Sequence, residues 1–202
     1  MAATLVLATR NAHKLREVAR LLAPFGLEVE PLPAGVELPP ETGETFESNA
    51  LPKARAAAAA LGRAAIADDS GIEADALGGA PGVRSARYAG EHATDAENLA
   101  KLLREAPAGS GLRYVCALAY VAPDGSERVF FGESRGRLSC RPRGERGFGY
   151  DPAFVPDDQP GSMQATMAEL SDAQKDAISH RGRAVRAFAQ WLTEGAGPEG
   201  GA

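Results

Sequence analysis

The stretch that most constrains this chain is Ala64-Ala65-Ile66-Ala67-Asp68-Asp69-Ser70-Gly71, an apolar run that ends in two adjacent carboxylates. A short apolar run reads as a buried strand, and the Ser-Gly that follows reads as a tight turn. Asp68 and Asp69 are thereby expected at the carboxyl end of a strand, where open α/β sheets put their ligands. Neighbouring carboxylates repel each other unless a positive charge lies beside them. A hard divalent cation with oxygen ligands meets that need in a site that handles phosphate. The alternative is that the pair caps a turn.

The first 22 residues supply a second constraint. Thr4 to Ala8 is a β-branched and apolar run, broken by Thr9-Arg10-Asn11, after which Leu15, Val18, Ala19 and Leu22 recur at helical spacing. Strand, polar turn, helix is a geometry that holds an anion on a helix N-terminus. Asn11 can cap that helix, and Lys14, one turn in, can fold back over a phosphate. The chain has no GxxxxGK[ST] and no GxGxxG, so neither the Walker loop nor the dinucleotide fingerprint applies.

Leu27 to Glu30 alternates as a strand and leads into a Pro- and Glu-rich loop that ends at Gly43. Thr45 then caps an Ala-rich helix over Phe46–Leu61, on which Asn49 and Lys53 share a face. A glycine-dense loop over residues 78–88 is long enough to be functional. Thr94-Asp95-Ala96-Glu97 has capping-box spacing and opens a helix through Leu103. Tyr114–Val121 and Glu127–Arg137 flank Pro123-Asp124-Gly125 as a β-hairpin. Gly147-Phe148-Gly149-Tyr150-Asp151-Pro152 makes a rigid, solvent-facing aromatic shelf, with Tyr150 tucked under the turn as the alternative. Ser171-Asp172-Ala173-Gln174 starts the last helix, which carries Lys175, His180 and Arg181 ahead of the stripe Val185, Phe188, Ala189, Leu192.

Composition narrows the function. A chain of 202 residues with no internal repeat or linker suits one domain, and a net charge of −5 offers no basic surface to a nucleic-acid polymer. Cys116 and Cys140 form no CxxC, which argues against zinc and a disulfide framework and fits a reducing cytoplasm. No apolar run approaches the roughly 20 residues of a membrane span. A soluble cytoplasmic protein with no membrane partner is expected. Of 22 basic residues only Lys14, Lys53, Lys101 and Lys175 are lysine, which marks them as places where a compact ammonium is wanted over a planar fork.

Cations at Lys14, Lys53, Lys175 and Arg181, carboxylates at Asp68, Asp69 and Glu41, and the Phe148 ring together describe a nucleoside triphosphate site with its metal. The motifs carrying this pattern are Thr9–Lys14, Thr45–Ala50, Lys53-Ala54, Ala67–Gly71, Leu77–Gly82, Ser85–Tyr88, Gly147–Pro152 and Lys175–Arg181. In that order, across nearly the whole chain, they resemble the dITP/XTP pyrophosphatases (the inosine triphosphate pyrophosphatase family). These enzymes hydrolyse nonstandard purine nucleoside triphosphates to the monophosphate and pyrophosphate.

The resemblance implies a mixed α/β fold with a long twisted sheet flanked by helices, and two lobes around a central nucleotide-binding cleft. It implies a single domain over residues 1–194 with a flexible tail over 195–202, a magnesium cofactor and a homodimer. Carried over by residue, Thr9, Arg10, Asn11, Ala12, His13, Lys14 and Lys53 grip the triphosphate. Asp69 is the general base and a magnesium ligand, Glu41 the second metal ligand, and Ser70 touches substrate. Phe148, Gly149, Tyr150, Asp151, Lys175, His180 and Arg181 form the base pocket. Two positions depart from the family pattern. Arg10 stands where glycine is usual, either constraining the turn or adding a phosphate contact. Pro39-Pro40-Glu41 has proline where a second acidic residue is common. The competing expectations are a non-hydrolytic nucleotide sensor and a pyrophosphatase for modified pyrimidine nucleotides.

Overall fold

The computed structural model describes residues 3–159 and 164–195; beyond Gly195 the expected tail lies outside the described residues. Among the described residues six strands form one mixed sheet: β1 (Ala3–Leu7), β2 (Leu27–Pro31), β3 (Ala65–Ala74), β4 (Gly111–Val121), β5 (Glu127–Leu138) and β6 (Phe154–Pro156). Their order is β2-β1-β3-β4-β5-β6. β2 and β3 run parallel to β1, and from β3 to β6 each neighbour is antiparallel. Five α-helices among the described residues flank it: α1 (Ala12–Leu22), α2 (Phe46–Leu61), α3 (Asp95–Glu105), α4 (Asp172–Ile178) and α5 (His180–Glu194). The expected mixed α/β fold is the observed one.

Strand alternation sorts the core. Leu5, Leu7, Ile66, Cys116 and Leu118 face α1 and α5, packing on Val18, Leu22, Val185 and Phe188. Val6, Ala65, Ala67, Ala117 and Ala119 face α2, which meets them with Ala50, Ala54, Ala57 and Ala58. Small side chains on both surfaces bring α2 close to the sheet. A larger residue at Ala54 or Ala57, both without exposed surface, would cost about 1–3 kcal/mol of overpacking. A third cluster joins the far half of the sheet (Ile72, Leu112, Tyr114, Phe154) to Leu99 and Leu102 of α3.

Two expectations are corrected. Ser70-Gly71 is not a turn: β3 pairs with β4 without interruption from Ala65↔Val121 to Ala74↔Leu112, so Asp68 and Asp69 stand inside the strand rather than at its end. Gly71 is there for close approach, since a Cβ would collide with Ser85 Oγ and the Gly82 carbonyl oxygen. The last helix is also two helices. Ser179 is extended (φ −70°, ψ 153°), ends α4, and caps α5 by accepting from Gly182 N at 3.0 Å. His180 and Arg181 therefore sit in the first turn of a helix. The caps at Thr45, Thr94 and Ser171 are as expected, each a capping box. Among the described residues no helix is long and apolar enough to cross a membrane.

Candidate active site

A cleft of about 250 Å³ draws its lining from six of the eight motif segments; Thr45–Ala50 and Leu77–Gly82 do not reach it. The turn after β1 contributes Thr9 and Asn11, and α1 contributes Lys14; Glu41 comes from the loop before α2, Lys53 from α2, and Asp69 and Ser70 from β3. The opposite wall holds Phe148, Gly149, Tyr150 and Asp151, with Lys175 from α4 and His180 and Arg181 from α5. Three of the four lysines line it. The fourth, Lys101, donates to the Tyr88 carbonyl oxygen at 2.8 Å.

Alternation in β3 sends the two adjacent carboxylates to different partners. Asp68, with no exposed surface, takes Lys14 Nζ at 3.2 Å and Arg181 Nε and Nη2 at 3.2 and 3.0 Å, all on Oδ2. Burial alone would push its carboxyl up, but Lys14, Arg181 and Lys53 outweigh burial and hold it far below the usual carboxylate range. Among the described residues Asp69 has no such pairing. Asn49 Nδ2 donates to its Oδ2 at 2.9 Å, and its own neighbour Ser70 N to Oδ1 at 3.0 Å. Burial, aided by the Glu41 charge, raises its carboxyl above the ordinary value despite Lys14 and Lys53.

Glu41 Oε1 lies 2.5 Å from Lys53 Nζ, which also donates to the Asp68 carbonyl oxygen at 2.9 Å. Burial is again outweighed by Lys53, Lys14 and Arg87, so this carboxyl is lowered. Asp69 and Glu41 thus present carboxylate oxygens to one cleft, with a raised Asp69 that a cation would relieve. Among the described residues no three His, Cys, Asp or Glu side chains gather as a metal cage. That donor set suits a hard cation held by one or two carboxylates, with the remaining positions filled by phosphate oxygens and water. The residues fit magnesium.

On the opposite wall, buried charges are interlocked. Lys175 Nζ bridges Asp151 Oδ2 at 2.6 Å and Glu17 Oε1 at 2.7 Å, and Arg181 Nη1 takes Glu17 Oε2 at 2.6 Å. Burial works against ionising Lys175, but Asp151 and Glu17 raise it above the ordinary lysine value. His180 is pushed well below the ordinary histidine range by burial and by the Arg181 and Lys175 charges, so its ring is neutral. It stacks on Tyr114 at 4.4 Å and 3°. The half-buried Phe148 ring lies 5.3 Å from Lys175 Nζ and 5.6 Å from Arg181 Cζ. Tyr150 is tucked in rather than part of an exposed shelf: it is buried and its hydroxyl donates to the Ser85 carbonyl oxygen at 2.7 Å.

Three expected contacts fall outside the cleft. Arg10 turns its guanidinium onto the loop after β2, away from the lining; Ala12 is exposed on the helix start; His13 packs on the outer side of Phe148 at 5.1 Å. Asn49, Tyr114 and Glu17 belong to the site without having been singled out for it. For Glu17 a signal exists, because it is an acid on the same helical stripe as Val18, Leu21 and Leu22.

The sheet and the cleft define an α/β protein whose cleft is lined by lysines, carboxylates and a half-buried aromatic ring. A sequence profile of the Ham1 family matches residues 5–191, and this chain belongs to that family. A dITP/XTP pyrophosphatase of Frankia alni is 52% identical over 200 residues, covering 94% of this chain and 96% of the relative. One of Cutibacterium acnes is 49% identical over 192 residues, covering 91% and 93%. Among solved structures, a HAM1 protein from Coxiella burnetii aligns with a TM-score of 0.83 at 40% identity, covering 95% of this chain and 99% of that one. The Staphylococcus aureus Ham1 protein aligns at 0.80 and 37%, with the same coverage.

Proposed function

We propose that this chain is a nucleoside triphosphate pyrophosphatase that hydrolyses nonstandard purine nucleotides, dITP, ITP, XTP and dXTP, to the monophosphate and pyrophosphate. The observation that carries the reading is Asp69, a buried carboxyl raised above its ordinary value on the wall of a cleft that also holds Lys14, Lys53 and Glu41. A carboxylate on the cleft wall beside phosphate-holding lysines is placed to take a proton from an attacking water. The names of the Frankia and Cutibacterium relatives support the same activity.

In this mechanism Thr9, Asn11, Lys14 and Lys53 hold the triphosphate, with the α1 N-terminus favouring its negative charge. Asp69 accepts a proton from water as the oxygen attacks the α-phosphorus in line, and the α–β bridging bond breaks to release pyrophosphate. Asp69 and Glu41 would hold magnesium, which supplies neutralisation of phosphate charge when bound. Ser70 contacts the substrate beside Asp69. Phe148 stacks on the base, while Gly149, Tyr150, Asp151, Lys175, His180 and Arg181 shape its pocket. Lys175 and Arg181 offer donors to a 6-keto oxygen. The amino group of adenine would leave those donors unpaired, a discrimination that can be large.

The reading takes residues 1–194 as one two-lobed domain, a homodimer as the assembly and the cytoplasm as its compartment. Two free thiols, Cys116 and Cys140, are consistent with that compartment. The test is a panel of dITP, XTP, dUTP and a modified dCTP with magnesium, read as pyrophosphate release. Turnover of dITP and XTP is expected. Tight binding without turnover would make the protein a sensor, and preference for the pyrimidines would refute the substrate class.

A further inference from the structure

Arg10 is a motif residue whose side chain the proposed chemistry leaves without a task. Its guanidinium makes four hydrogen bonds to consecutive parts of one loop: Nη1 to the Leu32 carbonyl oxygen at 2.8 Å, and Nη2 to those of Pro33, Ala34 and Val36 at 3.0, 3.3 and 2.7 Å. That loop joins β2 to α2 and carries Glu41. Pro33, Pro39 and Pro40 remove backbone donors from it, so its carbonyls need partners from elsewhere. Within the loop, Val36 N donates to the Pro33 oxygen at 3.2 Å and Thr42 N to the Pro40 oxygen at 3.1 Å.

The far end of the same loop is pinned separately. Arg87 Nη2 donates to the Glu41 carbonyl oxygen at 3.0 Å, Lys53 holds the Glu41 carboxylate, and Gly43 N donates to Asn49 Oδ1 at 2.7 Å. Between the two anchors lies Pro39-Pro40, a stiff pair with fixed φ that passes position along the chain instead of absorbing it. The first anchor belongs to the residue between Thr9, which lines the cleft, and Asn11, which caps α1 through His13 N at 2.9 Å and Lys14 N at 3.2 Å.

We propose that Arg10 is a positioning residue that ties the turn after β1 to the Glu41 loop and so fixes where Glu41 is presented to the metal. A planar fork with several donors can serve carbonyls spread over five residues, whereas a lysine ammonium at the same place cannot reach them together. The inference rests on Glu41 being a metal ligand, and its test separates the two claims.

Arg10→Met, with Arg10→Lys beside it, is compared with the unaltered chain in three measurements. Amide exchange over residues 33–42 in metal-free protein should quicken by about tenfold in both variants, and the magnesium concentration for half-maximal dITP turnover should rise roughly tenfold, the scale of substitutions one layer out from a ligand. Binding of dITP in EDTA should be unchanged. Weaker dITP binding in EDTA would make Arg10 a phosphate contact and overturn the proposal. Unchanged exchange, or quickened exchange with an unaltered magnesium requirement, would also overturn it. Glu41→Gln is the control: if it leaves the magnesium requirement unaltered, the ligand reading of Glu41 fails, and the proposal falls with it even where exchange shows the tether.

Discussion

Asp68 and Asp69 are neighbours in β3, yet Asp68 is held by Arg181 of α5 and Asp69 by Asn49 of α2, on opposite faces of the sheet. The strand's period of two makes that separation unavoidable. The repulsion expected of adjacent carboxylates is therefore relieved twice over, once by a buried ion pair and once by distance across the sheet. One acid is a permanently charged strut. The other is left with a raised proton affinity and a view of the cleft.

Asp68→Asn should destabilise the protein by about 3 kcal/mol, because it leaves the buried Arg181 short of its counter-charge. Asp69→Asn should abolish turnover while dITP still binds. Equilibrium denaturation and pyrophosphate release on the two variants check the contrast, and similar stability losses in both would remove the division of roles.

The same shift sets a pH signature. In metal-free protein burial raises the affinity of Asp69 for its proton above the ordinary aspartate value of 3.8, and bound magnesium should lower it again. Folded protein binds more protons at this site than the unfolded chain, so the site's contribution to stability is lost as pH rises from 3.8 through the raised value. In EDTA at neutral pH, Asp69→Asn is then expected to melt higher than the unaltered chain. A lower Tm would contradict the raised affinity.

Glu17 behaves in the opposite sense. Burial pushes its carboxyl up, but Arg181 and Lys175 overcome this and hold it below the ordinary value of 4.5. Its stability contribution is present above 4.5 and lost as pH falls below it. Glu17→Gln should cost about 3 kcal/mol at neutral pH, since Lys175 and Arg181 both lose a partner, and the deficit should shrink on acidification. Denaturation series at pH 7 and pH 4 measure it.

Much of this was legible in the sequence because local rules decide it. Thr45 caps its helix as its residue type implied, Thr94 and Ser171 cap theirs where capping-box spacing put them, and the hairpin turns at the Pro123-Asp124-Gly125 segment. Ser70-Gly71 misled because glycine serves both turns and close approach, and only the fold brings Ser85 against β3. Ser179 looked like helix interior until its extended backbone separated α4 from α5. For Glu17 the stripe of α1 hints at burial, but the partners that make burial tolerable are long-range. Whether an acid on a helix is solvated or buried depends on partners at Lys175 and Arg181, which lie more than 150 residues away.

Asn49 offers the sharpest test of how Asp69 is aimed. Its side chain is 3% exposed and uses both ends, Nδ2 on Asp69 Oδ2 and Oδ1 on Gly43 N. It therefore orients the base and anchors the last residues of the Glu41 loop in one step. Asn49→Ala should lower kcat by roughly 10–100-fold, the range for lost partners of ligating carboxylates. Asn49→Asp keeps the size but sets a second negative charge against Asp69, which should raise the Asp69 proton affinity further and move the acid limb of kcat/KM to higher pH. A pH profile unmoved by Asn49→Asp would mean that Asp69 takes its orientation from elsewhere.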